Sequence, residues 1–439
     1  MDQLIPTLVD LLAPAAPAFR KEVFPVFCQT VGAWIVCLGR RSLSRVWETT
    51  GRSGREHHAS SFRLFSQAVW NWDEVMRLML TALLHQFVPG VRVRVVVDDT
   101  LCHKRGAKVA FGGIFLDAVL STRKHKTFRF GNNWVMLGMI VSMPGRPDRS
   151  FCVPLLWRVY EKRGGRTKAE HRTKVDLAAE MLRVLSGWLP DREILVLADG
   201  AYMAKGLLKD RPANVNAIGP VCWKGALTGV VRTPDGRWVS SGKRLPPLHD
   251  ILADDRNWPP RIRVMRFANG RKRRLKIKLV TAAWPTVTGD PVVRVVLVRD
   301  PSGGWRDEAL LSTDPAMGDW EIVTGYCQRW SVEVAFADAK GLLGFHDPCV
   351  WKKESVERAA PMAWFTGALV LLWHARHGGD HPPARRQQPW HDKSVTTFAD
   401  MLAGCRLALW ANWWSKRGDP NAPRTPAEAW LLEYLATAA

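Results

Sequence analysis

The sequence predicts an α/β fold: a layered core of buried strands and helices, interrupted by an antiparallel β insertion and flanked by helical regions at both ends. Three observations predict it. Two apolar runs, "VRVRVVVDDT" at 91–100 and "EILVLADGAY" at 193–202, read as buried strands that each end in aspartate. Between them "KAEHRTKVDLAAEMLRVLSGWL" (168–189) has apolar residues at helical spacing. From 213 to 310 the rhythm changes to recurring turn signals, "TPDG", "ANG" and "DPSGG", separated by alternating strands.

Residues 1–90 form a helical N-terminal region, because "FCQTVGAWIVCLG" and "WDEVMRLMLTALLHQF" repeat apolar side chains every three or four residues. Between them, two short helices around "TTGRSG", with Arg40, Arg41, Arg45, Arg52 and Arg55, fit a helix-turn-helix. The same charges also fit the solvated face of a helical bundle. Residues 91–212 open the α/β core, with "VAFGGIFLD" and "NNWVMLGMIVSM" as further strands. In the insertion, "RIRVMRFANGRKRRLKIKLV" predicts a hairpin turning at Asn269-Gly270. On its return strand Leu275, Ile277 and Leu279 alternate with Arg274, Lys276 and Lys278, which predicts one apolar and one cationic face. Residues 311–374 return to helix and complete the core, and 375–439 supply a linker, "HGGDHPPARRQQP", and a helical tail rich in tryptophan.

A chain of 439 residues is long enough for several structural units around a substantial core. Its 63 Lys+Arg against 41 Asp+Glu give a net charge of +22. Such a field attracts polyanions, and nucleic acid is the commonest large one. Between Arg232 and Lys278 there are 14 basic and 4 acidic residues, so the insertion carries nearly half of that excess. The longest apolar run, "AWFTGALVLLW", is shorter than the roughly 20 residues that span a bilayer. The opening residues lack the basic start of a signal peptide. Eight scattered cysteines with no CxxC pair predict free thiols, a reducing cytoplasm and no zinc site.

Chemistry concentrates in three places. Asp99, with Asp98 beside it, and Asp199 close buried strands, where α/β proteins place their sites. The third is "YCQRWSVEVAFADAK" (326–340). At 100° per residue, with Tyr326 as zero, Arg329 falls at about −60°, Glu333 at about −20° and Lys340 at about −40°. Trp330, Val334 and Phe336 flank this narrow polar stripe, which predicts a helix facing a polar cleft; Asp338, at about 120°, lies off it and is expected to be solvated. Three carboxylates in one cleft repel one another unless they hold divalent metal. Oxygen donors select Mg²⁺ or Mn²⁺, and two such ions stabilise the attacking and leaving oxygens of phosphodiester cleavage. Arg329, Lys340 and Tyr326 would then meet DNA phosphates, with Arg273 and Lys276 doing so on the insertion.

With these residues in view, the sequence resembles the DDE transposases of bacterial insertion sequences, in the group with a Y-(2)-R-(3)-E-(6)-K signature. Tyr326, Arg329, Glu333 and Lys340 keep every spacing of that signature. Asp99 precedes Thr100 as the first acid of the family precedes Thr, and Asp199 closes a strand as the second does. The resemblance covers about residues 91–374. It implies an RNase H-like catalytic domain interrupted by a β-strand insertion, with Asp99, Asp199 and Glu333 as catalytic metal ligands. It further implies cut-and-paste transposition: metal-dependent hydrolysis at inverted-repeat ends, then strand transfer into target double-stranded DNA, by a homodimer in a synaptic complex. Location at the nucleoid in the bacterial cytoplasm follows from the same likeness. An insertion-domain tryptophan that stacks on a flipped base would be Trp305, with Trp284 and Trp320 as alternatives. A domesticated DNA-binding protein and an RNase H-like nuclease without strand transfer are the rival readings. Asp98 leaves the first ligand ambiguous by one position, and a one-residue shift along a strand reverses the face a side chain takes.

Overall fold

The computed structural model describes residues 4–51, 57–122, 124–164, 170–266, 272–289, 292–380, 393, 395–416 and 425–438. The N-terminal region is helical: α1 (Pro6–Leu12), α2 (Val23–Val36), α3 (Leu43–Thr49), α4 (Ala59–Ser66) and α5 (Trp72–Phe87). The Asn71 side chain starts α5 by accepting the Glu74 N–H at 2.9 Å. α3 and α4 flank the expected turn, but Arg52 and Arg55 lie outside the described residues. Arg41 is buried, its Nε donating to the Trp34 carbonyl at 3.0 Å, so it is engaged within the protein and not on a solvated face.

Then come β1 (Arg92–His103), β2 (Gly113–Leu116), β3 (Phe128–Met143), β4 (Arg146–Tyr160), α6 (Lys174–Trp188), β5 (Glu193–Ala198), α7 (Lys205–Leu208) and β6 (Val215–Pro220). A hairpin follows, β7 (Thr228–Arg232) and β8 (Trp238–Arg244), then α8 (Leu248–Ala253), β9 (Arg261–Arg266), β10 (Lys272–Ala282), α9 (Pro285–Thr288), β11 (Val293–Arg299) and β12 (Glu308–Ser312). The chain ends in helices: α10 (Asp319–Cys327), α11 (Ser331–Leu342), α12 (Lys353–Ala359), α13 (Met362–His377), α14 (Phe398–Ser415) and α15 (Pro426–Thr437).

Among the described residues, one sheet of ten strands runs β2-β3-β1-β5-β6-β12-β11-β10-β9, with β4 also paired to β3. β1, β5 and β6 are mutually parallel, β3 runs antiparallel to β1, and β4 runs antiparallel to β3. Parallel strands are covered on both faces, which is why Val93, Val95, Val96 and Val97 are all buried without alternation. α6 packs on β3 and β4, and α11 packs on β4 and β1. A mixed sheet packed with helices is consistent with the RNase H-like core that the resemblance implies.

Three expectations change. First, β6 lies inside the stretch read as insertion, yet it pairs in parallel with β5 as part of the core. Its six residues, "VNAIGP", are too short and too broken by Gly and Pro to announce a buried strand. The antiparallel strands β9–β12 are continuous with the same sheet through β12 and β6. Asn269-Gly270 and Arg271, between β9 and β10, lie outside the described residues. Second, the cationic face of β10 is only partly free: Arg274 is exposed, but Lys276 pairs with Asp255. Lys278 is buried and donates to the Ile251 carbonyl at 2.9 Å, because α8 packs over that end of the strand. Third, the stretch read as a tail joins the core: α14 packs against α2 and against α13, which contains the longest apolar run and is buried nearly all round. Most of the Pro/His/Arg linker lies outside the described residues. No described helix is long and apolar enough to cross a membrane.

Arg406 ties these ends together. It is buried in α14, with Nε donating to the Ile35 carbonyl at 2.8 Å and Nη1 to the Ala438 carbonyl at 2.6 Å. Arg406→Ala should therefore lower stability by on the order of 3 kcal/mol, since it strands carbonyls at the ends of α2 and α15. The urea midpoint measures this, and a midpoint within error of the parent would show that the guanidinium is dispensable.

Candidate active site at the ends of β1 and β5

The register of β1 and β5 sets the site. Val97 pairs with Ala198, so the next residues, Asp98 and Asp199, come level on adjacent parallel strands. Level residues of parallel neighbours point to the same face, and Asp99 points to the other. The side-chain partners agree. Asp98 Oδ2 accepts from Arg329 Nη1 at 3.0 Å, while Arg329 Nη2 donates to Glu333 Oε1 at 2.8 Å. Asp99 instead accepts from Lys174 Nζ, at the start of α6, and from the Tyr202 hydroxyl at 3.1 Å. Arg329 thus joins Asp98 to Glu333, Asp98 stands level with Asp199, and Asp99 has Lys174 and Tyr202 as its partners.

Burial and the neighbouring charges of Asp199 and Asp99 push the Asp98 carboxyl up to about 7, against the pull of the Asp99 N–H and Arg329. Arg329 is only 15 % exposed; burial opposes its charge, but Tyr326, Asp98 and Glu333 outweigh burial and hold it protonated. Asp199 anchors its own turn by accepting the Ala201 and Tyr202 N–H groups at 2.9 and 3.2 Å. Tyr202 is fully buried, and burial and three surrounding aspartates raise its hydroxyl pKa, so it serves as a donor.

The signature residues do not share one unbroken α-helix. Tyr326 ends α10, Arg329 lies in a 3₁₀ turn (Gln328–Trp330), and Glu333 and Lys340 lie on α11. The tighter turn brings Arg329 over both acids, its guanidinium 5.8 Å from the Tyr326 ring. Trp330, expected to wall the stripe, is 62 % exposed. α11 runs beside β1, so Arg329 meets Asp98 while Lys340 lies near Cys102, Asp117 and His346. Burial lowers the Lys340 pKa.

The end of β1 carries a second polar group that sequence reasoning missed. His103 Nε2 lies 2.6 Å from Asp117 Oδ2, and the His103 ring stacks on that of His346 at 4.8 Å. The His103 backbone N–H donates to His346 Nδ1 at 3.0 Å, which requires an unprotonated nitrogen there. Burial and nearby cations hold His346 down to about 3. No spacing links residues 103, 117 and 346, so only the fold reveals them.

The other expected DNA contacts are engaged within the protein. Arg273 pairs with Asp300 at 2.5 Å, and Lys276 with Asp255 at 2.9 Å. Trp305, Trp284 and Trp320 are each partly buried and packed against the core. Asp338 is not solvated: it is half-buried beside Ser150 and Phe151, and burial pushes its carboxyl up to about 6.

In donor chemistry Asp98, Asp199 and Glu333 fit a hard divalent cation, which takes carboxylate oxygens. The Arg329 guanidinium stands in for such a cation between Asp98 and Glu333. In this arrangement, among the described residues, no three His, Cys, Asp or Glu side chains converge tightly enough to hold a metal.

Residues 24–225 match the model of a family described as DDE superfamily endonuclease. The matched stretch contains Asp98, Asp99 and Asp199 and ends before Glu333. Over that stretch the chain is similar to DDE superfamily endonucleases. A comparison with curated proteins finds no match.

Because Asp338 has a raised pKa, its contribution to stability is fully present below its unfolded value of 3.8 and is lost as pH rises through about 6. Asp338→Asn should raise the melting temperature at pH 8 and leave it almost unchanged at pH 4. An equal shift at both values would mean that the carboxyl is not destabilised by burial.

Proposed function

We propose that this chain is a DDE transposase that hydrolyses phosphodiester bonds at the inverted-repeat ends of an insertion sequence and joins the freed ends to target DNA. The observation that carries the reading is the level placement of Asp98 and Asp199 on parallel strands, with Asp98 joined to Glu333 through Arg329. The match to DDE superfamily endonucleases and the net charge of +22 support it.

Asp98, Asp199 and Glu333 would hold divalent ions, Mg²⁺ or Mn²⁺ and two in number, which supply Lewis-acid stabilisation of the attacking and leaving oxygens. The chain's own residues do the rest. Arg329 balances Asp98 and Glu333 in the free protein, and its planar fork suits a phosphate equally well. Tyr326 backs that guanidinium. Tyr202 and Lys174 hold Asp99 on the far face, which fixes the direction of the neighbouring Asp98. Lys340, farther along α11, offers a second cation to the same DNA strand. A synaptic homodimer, with one catalytic site for each element end, completes the proposal.

Glu333→Gln should reduce Mg²⁺-dependent nicking of a plasmid carrying the element's ends at least a thousandfold while leaving end binding within about twofold. Nicking at the parental rate by this variant would remove Glu333 from the site. Nicked product without joined product, from the unaltered protein given target DNA, would favour a nuclease without strand transfer.

A further inference from the structure

Where β1 runs out, the loop 104–112 and the segment after His346 enclose a cleft of about 1020 Å³. Its lining is cationic: Arg40, Lys104, Arg105 and Lys108 face it. The acid in its wall, Asp347, is engaged by the Arg41 backbone N–H at 2.8 Å. Lys104 is also committed, donating to the His346 and Pro348 carbonyls at 3.1 and 2.8 Å. Arg105 and Lys108 are exposed, and neither has a hydrogen-bond or ion-pair partner among the described residues. At the rim Trp351 is 59 % exposed, with Lys352 Nζ 5.7 Å from its ring centre.

The cleft is built rather than loose. The Ala110 N–H donates to the Trp351 carbonyl at 2.9 Å, and Asn132 Nδ2 donates to the Ala110 carbonyl at 2.8 Å. Phe111, next in the chain, holds φ at 58°, a conformation unfavourable for a side chain with a Cβ and kept only where the surroundings enforce it. An exposed indole next to two unpaired cations, on a braced loop, has no structural task that these contacts explain.

We infer that this cleft holds the DNA strand next to the reacting bond, with Arg105 and Lys108 on its phosphates and Trp351 stacked on an unpaired base. Charge favours a polyanion, and an open aromatic face beside cations suits an unstacked base of any identity. β1 connects the two sites. From Asp98 to His103 the strand advances roughly 16 Å, close to the rise of about five nucleotides in duplex DNA. Lys340 lies near Cys102 and Asp117, at the cleft end of β1. The inference rests on the proposed function for the position of the reacting bond, but not for the binding itself.

The test measures anisotropy of labelled DNA in EDTA, using a 20-base-pair duplex and the same duplex with an unpaired tail. Arg105→Glu/Lys108→Glu should weaken binding of both on the order of tenfold and reduce the slope of log affinity against log salt by about two. Trp351→Ala should weaken the tailed DNA roughly tenfold and the plain duplex little. Circular dichroism confirms that the variants are folded. Folded variants with parental affinities and slopes would overturn the inference. So would tighter binding of a tailed RNA of the same sequence that these substitutions abolish, since the cleft would then serve RNA. Nicking by the unaltered protein is measured alongside. Its absence counts against the transposase reading alone, whereas parental binding by the variants counts against the cleft alone.

Discussion

The site depends on one shared guanidinium. Arg329 is largely buried and bonds at once to Asp98 on β1 and Glu333 on α11. A buried cation needs paired partners, because its desolvation costs several kcal/mol if left uncompensated. Two carboxylates on different elements therefore become a condition of burying Arg329, and Arg329 becomes a condition of bringing them together. Burial and Asp199 work against this by pushing Asp98 toward its neutral form. The arrangement holds Asp98 and Glu333 close under one buried positive charge.

The sheet makes that tension possible. β1 and β5 run parallel and in register up to Val97 and Ala198, so two acids that close separate apolar runs emerge side by side. Asp99 is turned to the α6 face, where Lys174 and Tyr202 satisfy it. Two consecutive aspartates thus have separate partners: Asp98 meets Arg329, and Asp99 meets Lys174 and Tyr202. The strands β9–β12 widen the same sheet beyond β6, and their charges are largely paired at home, as Arg273 with Asp300 and Lys276 with Asp255 show.

Much of this was legible in the sequence. The apolar runs at 91–100 and 193–202 announce β1 and β5, and α5 follows the segment read as "WDEVMRLMLTALLHQF". The spacing of Arg329 and Glu333 anticipates their contact, because residues four apart meet on a helical turn. What stayed hidden has physical reasons. The face taken by Asp98 depends on pairing with a strand about a hundred residues away, which no local pattern encodes. The burial of Lys278 and Asp338 comes from elements packing over them, α8 in the first case and β4 in the second. The His103–Asp117–His346 group and the open Trp351 arise from loops meeting in space, so no spacing marks them.

The most direct test of the central claim is Mn²⁺ binding, followed by electron paramagnetic resonance, to the unaltered protein and to Asp98→Asn and Asp99→Asn variants in the presence of DNA. If Asp98 shares the cation site with Asp199 and Glu333, Asp98→Asn weakens Mn²⁺ binding by at least tenfold and Asp99→Asn changes it little. The opposite order, with Asp99→Asn abolishing binding and Asp98→Asn retaining it, would contradict the grouping of acids around Arg329.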